Sequence, residues 1–249
     1  LSMNGGILQI SGSFTPSTVA VNSGTLLVTG SLNPSGPLGI SGGATLLITG
    51  SGTLGSLNSG VYTCAKNITV TGTVQYSSNV SQVLSGVISG GGVLVKDTSD
   101  TSVLTLSGTN SYTGSTTISA GTLKAANSKA FGASSSPINV SGSGTLDING
   151  QNLLNTNLLN LSGTGISGAG ALINSSTTGG TYSGLIKLTG DSSIISTNGA
   201  ITLSNGGTIT GTGYNLILGG SADGSIASII GTGTGSVSKQ DLGNWTLSK

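Results

Sequence analysis

Histidine, glutamate and arginine are missing altogether from this 249-residue chain. Its seven basic residues are all lysines and its six acidic residues all aspartates, so only 5% of the chain is charged and the formal net charge is +1. An ordinary soluble domain is about 25% charged. Without histidine there is no imidazole acid or base and no imidazole metal ligand, and without arginine there is no bidentate clamp for phosphate. The scarcity of basic residues argues against nucleic acid as a partner, because a basic stripe is needed to displace its counterions. The lone Cys64 cannot make an internal disulfide and reads as a small buried apolar residue. A chain almost free of cysteine also fits export through an oxidising compartment without mispairing. No apolar run approaches the ~20 residues of a membrane helix, so this segment is not expected to insert in a membrane. No secretory signal is visible, and Leu1 enters the chain in mid-pattern, which predicts a piece of something longer.

What the chain does contain is glycine, 45 of them, and aliphatic residues in alternation, with a mean hydropathy of +0.28. Disordered glycine-rich segments combine low hydrophobicity with high net charge; here the glycines read as turn punctuation between short strands that each bury one face. A recurrent unit, a small residue followed by an apolar-x-apolar strand, places Leu8, Leu26 and Leu46 at steps of 18 and 20 residues and Val74 and Leu94 again 20 apart. Leu123, Leu146 and Leu172 extend the series at steps of 29, 23 and 26, and Ile209 lies 37 further on, a step that skips a coil. A preceding strand recurs at 19–21, 39–40, 117–118, 138–140 and 201–203. A period of roughly twenty that drifts upward predicts an all-β fold, a parallel β-helix (β-solenoid) in which strands keep register while turns vary. Roughly ten coils stacked ~4.8 Å apart would make a rod about 50 Å long. With only Trp245, Phe14, Phe131 and five tyrosines as aromatics, the interior is expected to be aliphatic and narrow, with Ser, Thr and Asn outward. The segment 31–37, with Pro34 and Pro37, reads as a turn or loop. The segment 151–161 reads as strand–turn–strand with Asn at the corners, a short helix being the alternative.

The best-defined coil is Leu104 to Ala125. Here Gly108, Asn110, Tyr112, Gly114, Thr116, Thr117, Ile118 and Gly121-Thr122-Leu123 follow one another in a spacing that resembles the passenger-associated strand repeat of bacterial autotransporters. The stretches 130–150 and 235–248 resemble the continuation seen in such passengers. The resemblance covers most of residues 85–249 and implies export across the outer membrane to the bacterial cell surface, with adhesion or aggregation as the role. The family's membrane barrel is absent from these residues.

Chemistry-bearing groups are few. Asp97 and Asp100 are the only close acidic pair, and glycoside hydrolysis needs two carboxylates ~5–10 Å apart across the bond. With Lys96 beside them they read as a solvated, charge-balanced turn; a Ca²⁺ site would want more oxygen ligands. Asp147, flanked by inward Leu146 and Ile148, is expected to point to water. The glycine runs at 90–92 and 211–213 lack the Gly-Lys-Ser/Thr and helix of a phosphate loop and read as solenoid corners. Sequons at Asn67, Asn79, Asn139, Asn160, Asn174 and Asn244 are what a chain rich in Asn, Ser and Thr produces by chance. Thr-x-Thr pairs at 69–71 and 208–210 resemble those of ice-binding solenoids, but the threonines do not recur in one register, which speaks against that function.

Residues 1–249 are thus read as a single elongated β-helix, a segment of a longer passenger-like surface protein, and not as an enzyme: catalytic, cofactor-binding and metal-binding residues, none. The expected role is a stalk or filament segment in adhesion or self-association. The competing classes are a carbohydrate-active enzyme, a lyase or glycosidase, built on a β-helix, and a sheath or S-layer-like coat protein. Open strand edges at 7–10 and 245–247 predict self-association or continuation into further coils. A host or cell-surface glycan or protein receptor is the further partner this role implies.

Overall fold

A computed structural model describes residues 1–41, 44–50, 52–58, 61–98 and 100–249. The chain winds as a parallel β-solenoid of about 11 turns. Every strand pairing among the described residues is parallel except one hairpin, Ser56–Asn58 with Val61–Cys64. The only helical segment among them is a single 3-10 turn, Ile166–Gly168, and among the described residues no helix is long and apolar enough to cross a membrane.

Three sheets make the walls. Along the first, Leu8, Leu26, Leu46, Val74, Leu94, Thr116, Ile138, Leu159 and Ile186 are successive Cα partners. The ladder continues through Lys187 with Thr210 and Ile209 with Ile230. The second sheet stacks Gln82, Leu104, Leu123, Leu146, Leu172, Ile194 and Leu218. The third wall stacks Ala20, Gly39, Thr69 and Ser89 near the start, on strands continuous with the large sheet, and Leu153, Tyr182, Leu203, Ile226 and Leu247 near the end, in a separate five-stranded sheet.

These registers correct the repeat read from the sequence. The five partners from Leu8 to Leu94 do share one ladder, but Leu123, Leu146 and Leu172 belong to the second sheet, and Leu94 is followed by Thr116. The apparent step of 29 is a jump between walls, because all three sheets carry the same apolar-x-apolar alternation. The preceding strands divide in the same way: 19–21, 38–40 and 201–203 lie on the third sheet, 116–118 and 138–140 on the first. On the first sheet, the 28 residues from Leu46 to Val74 include the hairpin, and the 27 from Leu159 to Ile186 include the 3-10 turn.

The core is one continuous aliphatic column. Leu26, Leu46, Leu104, Leu123, Ile138, Leu159, Ile194 and Leu216 are fully buried, each contributing roughly 1.5–3 kcal/mol by leaving water. It is less purely aliphatic than expected, since Tyr76, Tyr112 and Tyr182 are buried among them. Ser31–Leu32 forms a two-residue strand paired on both sides, so only the proline-containing remainder of 31–37 is loop. Segment 151–161 is strand–turn–strand, with Asn152–Leu153 and Leu159–Gly163 flanking the turn. In that turn Asn157 is buried and its amide donates to the carbonyls of Ala133 at 2.6 Å and Ser136 at 2.8 Å.

Candidate functional site

The coil 104–125 shows what its distinctive residues do. Leu104 and Leu106 point inward and pair with Leu123 and Ala125 of the next turn. The chain then rounds a corner pressed against the coil before it. A Cβ on Gly108 would lie 2.2 Å from the Gly86 carbonyl oxygen, and one on Gly114 would lie 2.0 Å from that of Gly92, so no larger residue fits either place. Between them Asn110, buried, accepts from the Ile88 N–H at 2.8 Å and donates to the Ala130 carbonyl at 2.6 Å. One amide therefore ties a coil to the turn before it and the turn after it. Tyr112 enters the core and its hydroxyl meets Thr116 Oγ1 at 2.7 Å; burial pushes its phenol pKa far up. Gly121 turns the second corner with φ 72°. The motif is a coil-closing device, and its residues are satisfied within the protein.

The acidic pair does not converge. Asp97 accepts from Gln75 Nε2 at 2.5 Å and from Ser77, both on the preceding coil, and from Thr98 Oγ1 at 3.2 Å. Asp100 accepts from Ser143 Oγ at 2.6 Å on the other side. The two carboxylates are tied to different coils rather than aimed across one bond. Ser99 lies outside the described residues.

Lys96 is a correction. It was expected in the solvated turn, but it continues the alternation of Val93–Lys96, shares the inward face with Leu94 and is fully buried. Its ammonium donates to the carbonyls of Thr98 and, at 3.2 Å, of Ala120, and sits 6.0 Å from the centre of the Tyr76 ring. Burial lowers its pKa to about 8, with Asp97 and Asp100 pulling weakly the other way. Burial raises the Tyr76 phenol to about 12, and its hydroxyl donates to the Val80 carbonyl at 2.5 Å.

Asp147 is a second correction. It does point away from the core, yet it does not meet water: it is 2% exposed. Segment 174–178 of the next coil covers it, and its carboxylate accepts from Ser175 Oγ at 2.5 Å, Ser175 N–H at 3.1 Å and Asn149 N–H at 2.9 Å. Lys124 completes the clasp, 3.6 Å from Asp147 Oδ2 and 3.0 Å from Ser175 Oγ. A serine between a lysine and an aspartate has the composition of a nucleophile with its activators. Here the serine hydroxyl donates its hydrogen bond to the carboxylate, and the lysine, ion-paired to the same carboxylate, donates to the serine oxygen. The geometry is that of a coil-to-coil fastener.

The remaining candidates resolve simply. Cys64 is buried, and burial raises its thiol pKa. Gly90, at φ 103°, and Gly92 press on Val70 and Gly72 of the preceding coil, and Gly213 turns at φ 88°, so both glycine runs are corners. Of the sequons, Asn67, Asn79 and Asn244 are exposed. Asn139 is held by Asn160 at 2.7 Å, and Asn174 is buried with its amide donating to Thr178 and Ala200 carbonyls at 2.9 Å. Among the described residues no group of three or more His, Cys, Asp or Glu side chains is placed to hold a metal ion.

Comparison with known proteins adds one finding. Residues 99–125 match the model of the passenger-associated-transport-repeat family. No curated protein and no solved structure matches the chain. The match falls on the coil whose Asn110, Tyr112 and paired glycines close the solenoid, and that repeat family implies an exported protein and suggests a structural rather than a catalytic one. A passenger-associated-transport-repeat set in a parallel β-solenoid of this kind fits an autotransporter passenger domain.

Proposed function

We propose that the chain is a structural, adhesive segment of a protein displayed on the bacterial cell surface, a stalk or filament piece of a longer passenger carried across the outer membrane. The observation that carries this reading is the direction of its polar contacts. Asn110, Asn157, Asn174 and the Lys124–Asp147–Ser175 clasp all tie one coil to the next. Such contacts stiffen a rod along its axis, where an enzyme would converge them on a cleft.

Self-association, or continuation into further coils, is part of this proposal, and the exposed apolar residues of the first and last described coils support it. On the first, Ile7 and Phe14 are exposed, and Leu8, Ile10 and Phe14 line a shallow groove beside the open edge of Ser2–Ile10. On the last, Ile229, Val237 and Leu247 are exposed. Open, nearly uncharged strand edges recruit further strands, from coils of the same polypeptide or from second copies, and a head-to-tail contact that does not close gives a filament. Sedimentation velocity of the 249-residue chain tests this. Oligomers are expected at micromolar concentration, and Ile7→Lys with Val237→Lys is expected to return them to monomer. A wild type that stays a single monomeric species for days overturns it.

A further inference from the structure

The clasp on the second wall is arranged for more than an ion pair. Lys124 and Asp147 are direct Cα partners on adjacent coils. They make the one lysine–aspartate ion pair among the described residues, Nζ to Oδ2 at 3.6 Å. The two carboxylate oxygens have different surroundings. Oδ1 accepts two backbone N–H bonds, from Asn149 at 2.9 Å and from Ser175 at 3.1 Å. Oδ2 accepts from the Ser175 hydroxyl at 2.5 Å, and that hydroxyl oxygen accepts in turn from Lys124 Nζ at 3.0 Å. Segment 174–178 lies over the group, so that Asp147 is 2% exposed and the lysine side chain 30%.

We propose that Lys124 and Asp147 join in an amide bond, a covalent staple between their two coils. Lys124 Nζ is the nucleophile and Asp147 Cγ the carbon it attacks. Two backbone N–H groups aimed at one oxygen make an oxyanion hole, and here they hold Oδ1, where the charge of the tetrahedral adduct gathers. Ser175 Oγ bridges the amine and the leaving oxygen and relays protons between them. The ammonium passes one proton through Ser175 to Oδ2, which frees the lone pair on Nζ. The C–N bond forms as the carbonyl electron pair moves onto Oδ1. A second proton takes the same path, the Cγ–Oδ2 bond breaks, Oδ2 departs as water and Oδ1 regains its double bond. Both protons come from the ammonium, so the products are a neutral amide and one water, and no outside acid or activating group is consumed. The fold already holds the reacting groups side by side, so little motional freedom is left to lose. Replacing the pair by an amide also removes two charges from beneath the covering segment, where their desolvation is costly. The step is slow, because a carboxylate is a poor electrophile until it has taken up a proton. Before the bond forms, in the freshly folded chain, the ion pair and hydrogen bonds alone hold the clasp.

Mass spectrometry of the intact, denatured 249-residue chain tests the proposal independently of adhesion or self-association. After days of folded incubation at neutral pH the wild type is expected to be lighter than its sequence by one water molecule, and Lys124→Met to have the full mass of its own sequence. A succinimide at Asp223-Gly224 would lose the same water but would survive in Lys124→Met, so a deficit that persists in that variant overturns the proposal. Trypsin should leave Lys124 of the wild type uncut and joined to the peptide that holds Asp147, and hydroxylamine should not release it. Release by hydroxylamine would mark an ester to Ser175 and overturn the amide. Ser175→Ala is expected to slow the loss of water by an order of magnitude or more; an unchanged rate overturns the relay. A wild type that keeps its full mass while circular dichroism shows it folded overturns the proposal as a whole.

Discussion

Lys96 and Asp147 are both buried charges, and the solenoid treats them in opposite ways. Lys96 lies inside the coil stack, 0% exposed, with two backbone carbonyls and the face of Tyr76 for company. Asp147 lies on the outer skin, 2% exposed, with two backbone N–H donors, a serine and a lysine. Desolvating a charge costs several kcal/mol, which only partners of opposite charge and good geometry repay. The wall meets that condition because a loop from the next coil can fold over it; the interior around Lys96 cannot, because the inward positions stacked on it are filled by Tyr76 and Ile118. The interior therefore tolerates a charge only at a cost, and the surface can make one part of the structure.

The harshest test puts a carboxylate where Lys96's environment prevails. Leu123 is fully buried beside Lys124, on the opposite face of the same strand. Leu123→Asp would bury an unpaired anion among leucines at a cost of several kcal/mol, and thermal denaturation should show the loss of cooperative folding in the repeat-bearing coils. A melting temperature equal to wild type would mean that Leu123 faces solvent and that the register is wrong by one.

A smaller effect comes from the wall. Asp147→Ala strands the N–H groups of Ser175 and Asn149 and the Ser175 hydroxyl. The expected loss is about 2–3 kcal/mol, since an orphaned buried donor costs about 1–3 kcal/mol and the freed Lys124 can turn to water. Denaturant unfolding of the variant with Lys124→Met as a companion sharpens the comparison: the lysine sits partly in solvent, so its loss should cost much less than that of the aspartate. Equal losses would show that the ion pair, not the hydrogen bonds, holds the clasp.

The sequence shows one half of this contrast and hides the other. Alternation from Leu94 already puts Lys96 on the inward face; the cluster of Lys96, Asp97 and Asp100 in one short stretch drew it into the turn instead. Parity likewise places Asp147 outward, correctly. What covers Asp147 is Ser175, 28 residues further along the chain, and no local pattern announces that contact. The same limit explains the ladder. Strands were legible one by one because alternation is local, but which wall a strand joins depends on the lengths of the corners between, so Leu123 was read one wall away from its place.

The smallest effect is the pH dependence that Lys96 should impose. Its pKa falls from 10.5 in the unfolded chain to about 8 in the fold because burial disfavours the ammonium. Below pH 8 both states hold the proton, and the full penalty stands. Between pH 8 and 10.5 the unfolded state binds more protons than the folded one, so stability rises with pH. Cys64 and the buried tyrosines work against this, since burial raises their pKa values and their stabilising contribution is lost as the pH climbs past 9 and then past 10. The window that isolates Lys96 best is therefore pH 8 to 9, where its own contribution should rise by about 1 kcal/mol, a unit pKa difference being worth 1.36 kcal/mol, and Cys64, which begins to ionise in the unfolded chain below pH 9, takes back a few tenths of that. Urea unfolding at both pH values measures it. Lys96→Met should fold at least as stably at pH 7 and lose the rise across that unit, keeping only the slight fall due to Cys64, because methionine keeps the length of the side chain without the charge. A wild type that is flat over the window, or a methionine variant that keeps the rise, would place the ammonium in water and the contrast with Asp147 would fail.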